Sequence, residues 1–192
     1  MIYESGPWKA QLLRDAGRLR RIAETRLDVE QPAQVDKAMV AFERLVFLTA
    51  YSMRKLWESG KLSTSWPKNR LPCNRLPNSG SVPDRLNWHD LDRHYDMNFD
   101  EPVMMPADEF CSRIVHSFIF LPVINIQGSI DSFYFTSDTH RKKALWITGV
   151  ADVAHLITVT GKDFPSTGVF KRANNGELVV WSGHGDPPKH MR

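Results

Sequence analysis

Three groups of side chains have the types and spacing to do chemistry. His89, Asp92 and Asp96 stand at intervals of three and four residues. On a helix over 88–97 they share one face, and three such donors could hold a divalent metal or a water. The plainer reading is a solvated acidic face beside an apolar stripe of Trp88, Leu91 and Tyr95, with His94 off the candidate face.

The second group is His116, Asp138, His140 and Arg141. Two apolar runs, 118–125 and 130–136, flank Gly128-Ser129, a pair suited to a type II′ turn. That turn sets Ile119 opposite Asp138 and Ser117 opposite His140, with His116 at the exit of the preceding helix. A carboxylate beside an imidazole fixes its tautomer and raises its pKa, and an arginine could hold an anionic group. The plainer reading is a polar hairpin end. Cys111, five residues before His116, lies roughly 140° around the helix, a poor nucleophile partner for it.

The third group is basic. Arg14, Arg18 and Arg21 share a face of the first helix, with Arg20 beside it, and could meet phosphates. The plainer reading is a solvated helix face with local pairing to Glu24. Gly161-Lys162 lacks the spacing of a P-loop, and no GxSxG, HExxH, GxGxxG or EF-hand loop is present.

These residues must be positioned by the elements around them. Ser5 and Pro7 open a helix over 6–28, with Trp8, Leu12, Ala16, Leu19, Ala23 and Leu27 on one face. Pro32 breaks the chain, and a second helix runs over 34–58. Its main stripe holds Val35, Met39, Phe42, Val46, Thr49, Met53 and Leu56, and Phe47, Leu48 and Tyr51 widen it, which predicts burial on more than one side. Gly60 stops it. The short connection favours antiparallel packing. Ser63 to Pro83, with Pro67, Pro72, Pro77 and Pro83, reads as a long loop. Asn87 could cap a helix over 88–97, and Pro106 opens one over 107–115. Strands follow over 118–125, 130–136 and 143–148, then a helix over 150–159 ended by Gly161. A last hairpin, 168–172 with 177–181, turns at Asn175-Gly176.

The fold class is α+β: an N-terminal helical hairpin followed by a mostly antiparallel sheet with one inserted helix. Residues 1–182 form one domain, with the helical hairpin over 1–60, a long loop and short helix over 61–105, and helix and sheet over 106–182. Residues 183–192 form a loose polar tail that carries His184 and His190.

At 192 residues the chain is long enough for one well-buried core. The net charge of +3 is too small to demand a polyanion. Charge is uneven, however: 61–86 holds five basic residues against Asp84, and 87–109 holds seven acidic residues against Arg93. Adjacent blocks of opposite sign tend to fold onto each other. No signal peptide opens the chain, and the apolar stretch Leu45 to Met53 spans only about 14 Å as a helix, too short for a bilayer. Cys73 and Cys111, outside any CxxC, read as free thiols of a cytoplasmic protein. No cofactor and no membrane is implied. The favoured function is a soluble, non-catalytic binding or regulatory module acting through protein–protein contacts. Its partner is another protein or a second copy, met through the helical hairpin. A hydrolase or nuclease using the His/Asp groups and a nucleic-acid binder using the basic helix face stand as alternatives.

Overall fold

The computed structural model describes residues 2–173 and 175–191; Met1, Asn174, Arg192 and the side chain of His190 lie outside the described residues. Two helices lead, α1 (Gly6–Glu24) and α2 (Pro32–Glu58). Proline stands in the first turn of both, where its missing N–H goes unused. Pro32 therefore opens α2 rather than breaking the chain ahead of it. Ser5 occupies the N-cap position of α1 but makes no side-chain capping bond. At the end of α2, Gly60 adopts φ +66°, and Lys61 N–H donates to Leu56 O while Gly60 N–H donates to Trp57 O, both at 2.9 Å. That is a Schellman stop, and the left-handed φ is why glycine stands there.

A five-stranded antiparallel sheet follows, made of β1 (Arg70–Pro77), β2 (Glu101–Pro106), β3 (Ser117–Ile124), β4 (Ile130–Ser137) and β5 (Ala144–Gly149) in the order β2-β1-β5-β4-β3. Helices α3 (Leu91–His94), α4 (Ala107–Val115) and α5 (Val150–Lys162) are inserted between strands. The hairpin β6 (Thr167–Arg172) with β7 (Leu178–Gly183) forms a separate two-stranded sheet. The chain is α+β, as its patterning implies.

The stretch read as a long loop contains the strand β1. Pro72 and Pro77 hid it, because proline cannot donate to a ladder. The pairing shows how they are tolerated: β2 pairs with Arg70 to Arg75 and β5 with Asn74 to Pro77, so each proline faces a strand on one side only. Arg75 and Glu101 form an ion pair at 2.8 Å across β1 and β2, which joins the basic block to the acidic one.

The four longer helices cover one face of the sheet. Leu12, Leu19, Phe42, Val46, Met53, Phe110, Phe133, Phe135 and Ile157 belong to that core. Helix α1 packs most extensively on α5, not on α2. Gly161 allows this approach: a Cβ there would lie 2.9 Å from the Leu13 side chain and 3.1 Å from Lys9 O. The helix runs on to Lys162, so Gly161 is a packing residue and not a stop. The other face is covered by the segment between β1 and β2, whose Leu91 and Tyr95 cluster with Leu76, Ile119 and Leu145. Among the described residues no helix is long and apolar enough to cross a membrane.

Candidate functional site

The helix expected over 88–97 is only the single turn α3, so His89, Asp92 and Asp96 have no common helical face. His89 Nε2 lies 3.4 Å from Asp90 Oδ1, and Asp96 accepts from Asn98 N–H at 3.0 Å. Asp92 and Asp96 border one shallow cavity of about 600 Å³, with Asn78 and Tyr95, while His89 borders another with Asp92. Among the described residues no three His, Cys, Asp or Glu side chains converge as metal ligands. The buried imidazole of this segment is His94, 2.6 Å from Ser81 Oγ and 3.0 Å from Asn87 O, and it ties the cover segment together.

The β3–β4 turn differs from the expected register. The Asn125 carboxamide accepts from the Gln127 and Ser129 amides at 3.0 and 3.1 Å, so the turn closes from Asn125 and not at Gly128-Ser129. With register shifts between Val123 and Ile124 and between Ser117 and Ile119, Ile119 pairs with Thr136, and Ser117 with Ser137. Asp138 N–H does reach His116 O at 3.1 Å, so the backbones meet at one end of the sheet. The side chains diverge. His116 Nε2 accepts from Arg54 Nη1 at 3.1 Å, and Asp138 pairs with Arg141 at 3.1 Å while remaining exposed. His140 Nδ1 bonds Ser137 Oγ at 2.8 Å, and its ring lies edge-on to Trp146. Neither histidine bonds Asp138 among the described residues. Burial, then Arg113 and Lys143, hold the His140 pKa below its usual value, the reverse of the expected rise. The Arg141 guanidinium donates to Pro83 O and lies 4.0 Å over the Phe118 ring, so it anchors the cover segment.

Neither cysteine is poised for nucleophilic work. Both thiols are free and buried; burial pushes Cys73 up to about 12 and Cys111 higher still. On α1, Arg14, Arg18 and Arg21 are exposed. Arg14 Nη2 donates to Gln11 Oε1 at 2.6 Å and Arg18 Nη1 to Asp15 Oδ1 at 3.2 Å. Arg20 reaches across to Thr158 of α5 at 2.9 Å.

These α1 contacts border a groove that sequence patterning does not mark. Because α1 leans on α5, its outer seam with α2 stays open. Pro7, Trp8, Gln11, Asp15 and Arg18 line one wall and Leu45, Leu48 and Ser52 the other, around about 480 Å³. Trp8, expected in the core, is 37% exposed, and Leu48 is 58% exposed. Asp15 is buried at 7% exposure, and its hydrogen bonds from Gln11 (2.8 Å) and Arg18 fall on Oδ1. Tyr51 and Val40 extend the apolar surface along α2, which is therefore not enclosed on a second side. The signal in the sequence was the excess width of the α2 apolar arc. No family model matches the chain, and neither a curated protein nor a solved structure shows similarity to it.

Proposed function

We propose that this protein is a non-catalytic binding module that takes a segment of another polypeptide into the groove between α1 and α2. The carrying observation is the Asp15 carboxylate, nearly buried in a groove whose rims are Trp8 and Leu48. An apolar anchor fits between the rims, and Asp15 Oδ2 stands ready for a donor, so the matching segment pairs a large apolar residue with a lysine or arginine. Arg14 and Arg18 already spend donors on Gln11 and Asp15, which favours a protein over a polyphosphate as partner. The free thiols Cys73 and Cys111 favour the cytoplasm as the compartment.

The test is peptide display on the immobilised protein, followed by titration of the enriched peptides against wild type, Leu48→Asp and Trp8→Ala. Binding at least about tenfold weaker to both variants is expected. Leu48 is well exposed, so Leu48→Asp should keep the wild-type circular dichroism and melting point. Equal affinity for all three proteins refutes the groove as a docking site.

A further inference from the structure

The α1–α2 groove offers a ligand few hydrogen-bonding groups. Apart from the first turn of α1, its walls are helix interiors, whose amides and carbonyls are spent within each helix. The polar side chains of the walls are mostly spent as well. Ser52 Oγ donates to Leu48 O at 2.7 Å, Gln11 donates to Asp15 at 2.8 Å, and the Gln11 side-chain carbonyl accepts from Arg14. Asp15 Oδ2, the Trp8 indole N–H and the remaining N–H groups of Arg18 are what is left. An extended segment lying here would bury more backbone groups than these can answer, at about 1–3 kcal/mol for each one orphaned. A helix satisfies its own backbone. From Pro7 to Arg18 the groove has room for about 17 Å of one, or three turns.

The rims of the groove carry charge of one sign. Arg14, Arg18 and Arg21, at intervals of four and three residues, form a stripe along the outer edge of α1. On α2, Lys37, Arg44 and Leu48 form a stripe at intervals of seven and four. All six side chains are exposed. Among the described residues Arg14, Arg21, Lys37 and Arg44 are in no ion pair. Asp36 and Glu43, their acidic neighbours in sequence on α2, lie about 100° around the helix from that stripe. Ile2 N–H donates to Ser59 Oγ at 3.1 Å, so the start of α1 lies by the end of α2 and the two helices run antiparallel. Lys37 and Arg44 therefore stand toward the Arg18 and Arg21 end, and Trp8 and Leu48 toward the other. The groove runs from an apolar end to a basic end, with the Asp15 carboxylate in its floor.

We infer that the segment this groove takes is an acidic amphipathic helix. Its apolar face carries one lysine or arginine, which meets Asp15, and glutamates or aspartates flank that face toward Arg18, Arg21 and Arg44. The inference rests on the groove being a protein-docking site and gives the partner its form and charge. Asp15 lies about 10 Å, or two turns, along α1 from Trp8, so the basic residue of the partner stands about seven residues from its apolar anchor. Flanking charges of this kind set partner choice and orientation when helices pack side by side. A nucleic-acid strand would meet the same arginines but has no cation for Asp15.

The test is fluorescence anisotropy of the full chain with three synthetic peptides of about 18 residues, long enough to form a helix. The first has leucines and one lysine on one face, glutamates on both flanks and alanines elsewhere. The second has lysines on the flanks, and the third is the first with a central proline. The first should bind at least about tenfold tighter than either of the others. Arg44→Glu should weaken the first at least about tenfold and strengthen the second, with circular dichroism unchanged because Arg44 is exposed. Asp15→Asn should weaken the first but not a version with leucine in place of its face lysine. Failure of the first peptide to bind overturns the proposal, while the display titration still judges the groove by itself. Equal binding of the first and third makes the occupant extended, and equal or tighter binding of the second means that charge does not select it; either overturns the proposal. Light scattering that shows a wild-type dimer, lost in Leu48→Asp, makes a second copy the occupant and overturns it too. So does a single-stranded DNA oligonucleotide that displaces the first peptide at lower concentration than the unlabelled peptide does.

Discussion

His140 illustrates what a single residue gains from its setting. Its ring is edge-on to Trp146, bonded through Nδ1 to Ser137, and flanked by the positive charges of Arg113 and Lys143. Burial and those charges disfavour the imidazolium, so the folded pKa lies below the unfolded one. Between the two values the unfolded chain binds more protons. The His140 contribution to stability is then complete above the unfolded pKa, near 6.5, and is lost as pH falls through the folded value. In NMR titration His140 should protonate below 6.5; Arg113→Met should raise its pKa and Asp138→Asn should leave it alone. A fall in Asp138→Asn would restore the coupling that the sequence implied. Hairpin arithmetic brought His116 and Asp138 to one end of the sheet, although its register was off: Asp138 N–H meets His116 O, and Ile119 pairs with Thr136. It could not tell that Arg54 of α2 would take the His116 side chain, a partner from a distant element, or that the nearby Arg141 and not a histidine would pair with Asp138.

Among elements, glycines separate packing from propensity. Gly161 of α5 lies where a Cβ would meet Leu13 and Lys9 O, whereas Gly17 of α1 has nothing within 4 Å of its Cβ position. Gly161→Ala should therefore cost about 1–3 kcal/mol through overpacking between α1 and α5. Gly17→Ala should add about 0.5–1 kcal/mol, because alanine removes the glycine penalty in a helix interior. Urea denaturation of the two variants would check both signs; equal effects would mean that the α1–α5 approach is not tight. Whereas the helix expected over 88–97 is only the turn α3, the four longer helices and the β3–β5 meander were legible because apolar spacing reports them directly. The strand β1 was not, since its prolines imitate loop punctuation and only its staggered neighbours make them harmless. The groove was half legible: α2 has more apolar surface than a core face needs, but which residues stay outside depends on α1 leaning toward α5.

In the whole molecule the two sides of the sheet are held differently. On the helical side Phe42 is fully buried, with ring centroids 5.6 Å from Phe133 and 6.0 Å from Phe120, so Phe42→Ala should cost about 3–5 kcal/mol in chemical denaturation. The opposite side is closed by the segment between β1 and β2, which has one helical turn and few apolar anchors. Its attachment relies on individual side chains. Arg141 donates to Pro83 O while stacking on Phe118, and the Tyr95 hydroxyl donates to Arg141 O at 2.9 Å. Such a cover opens by itself more readily than the helical core, because few buried contacts must break at once. Arg141→Ala removes the tie to Pro83 and the stacked guanidinium but leaves every helix-side contact in place. The cover should then open at about 1–3 kcal/mol less cost, which speeds hydrogen exchange of its amides roughly tenfold to a hundredfold. Amides of α2 and α5 that exchange only through global unfolding should speed by a similar factor, because global unfolding also breaks the Arg141 contacts, yet they should stay slower than the cover amides in both proteins. Equal protection of cover and core amides in the wild type would show instead that cover and core unfold as one unit.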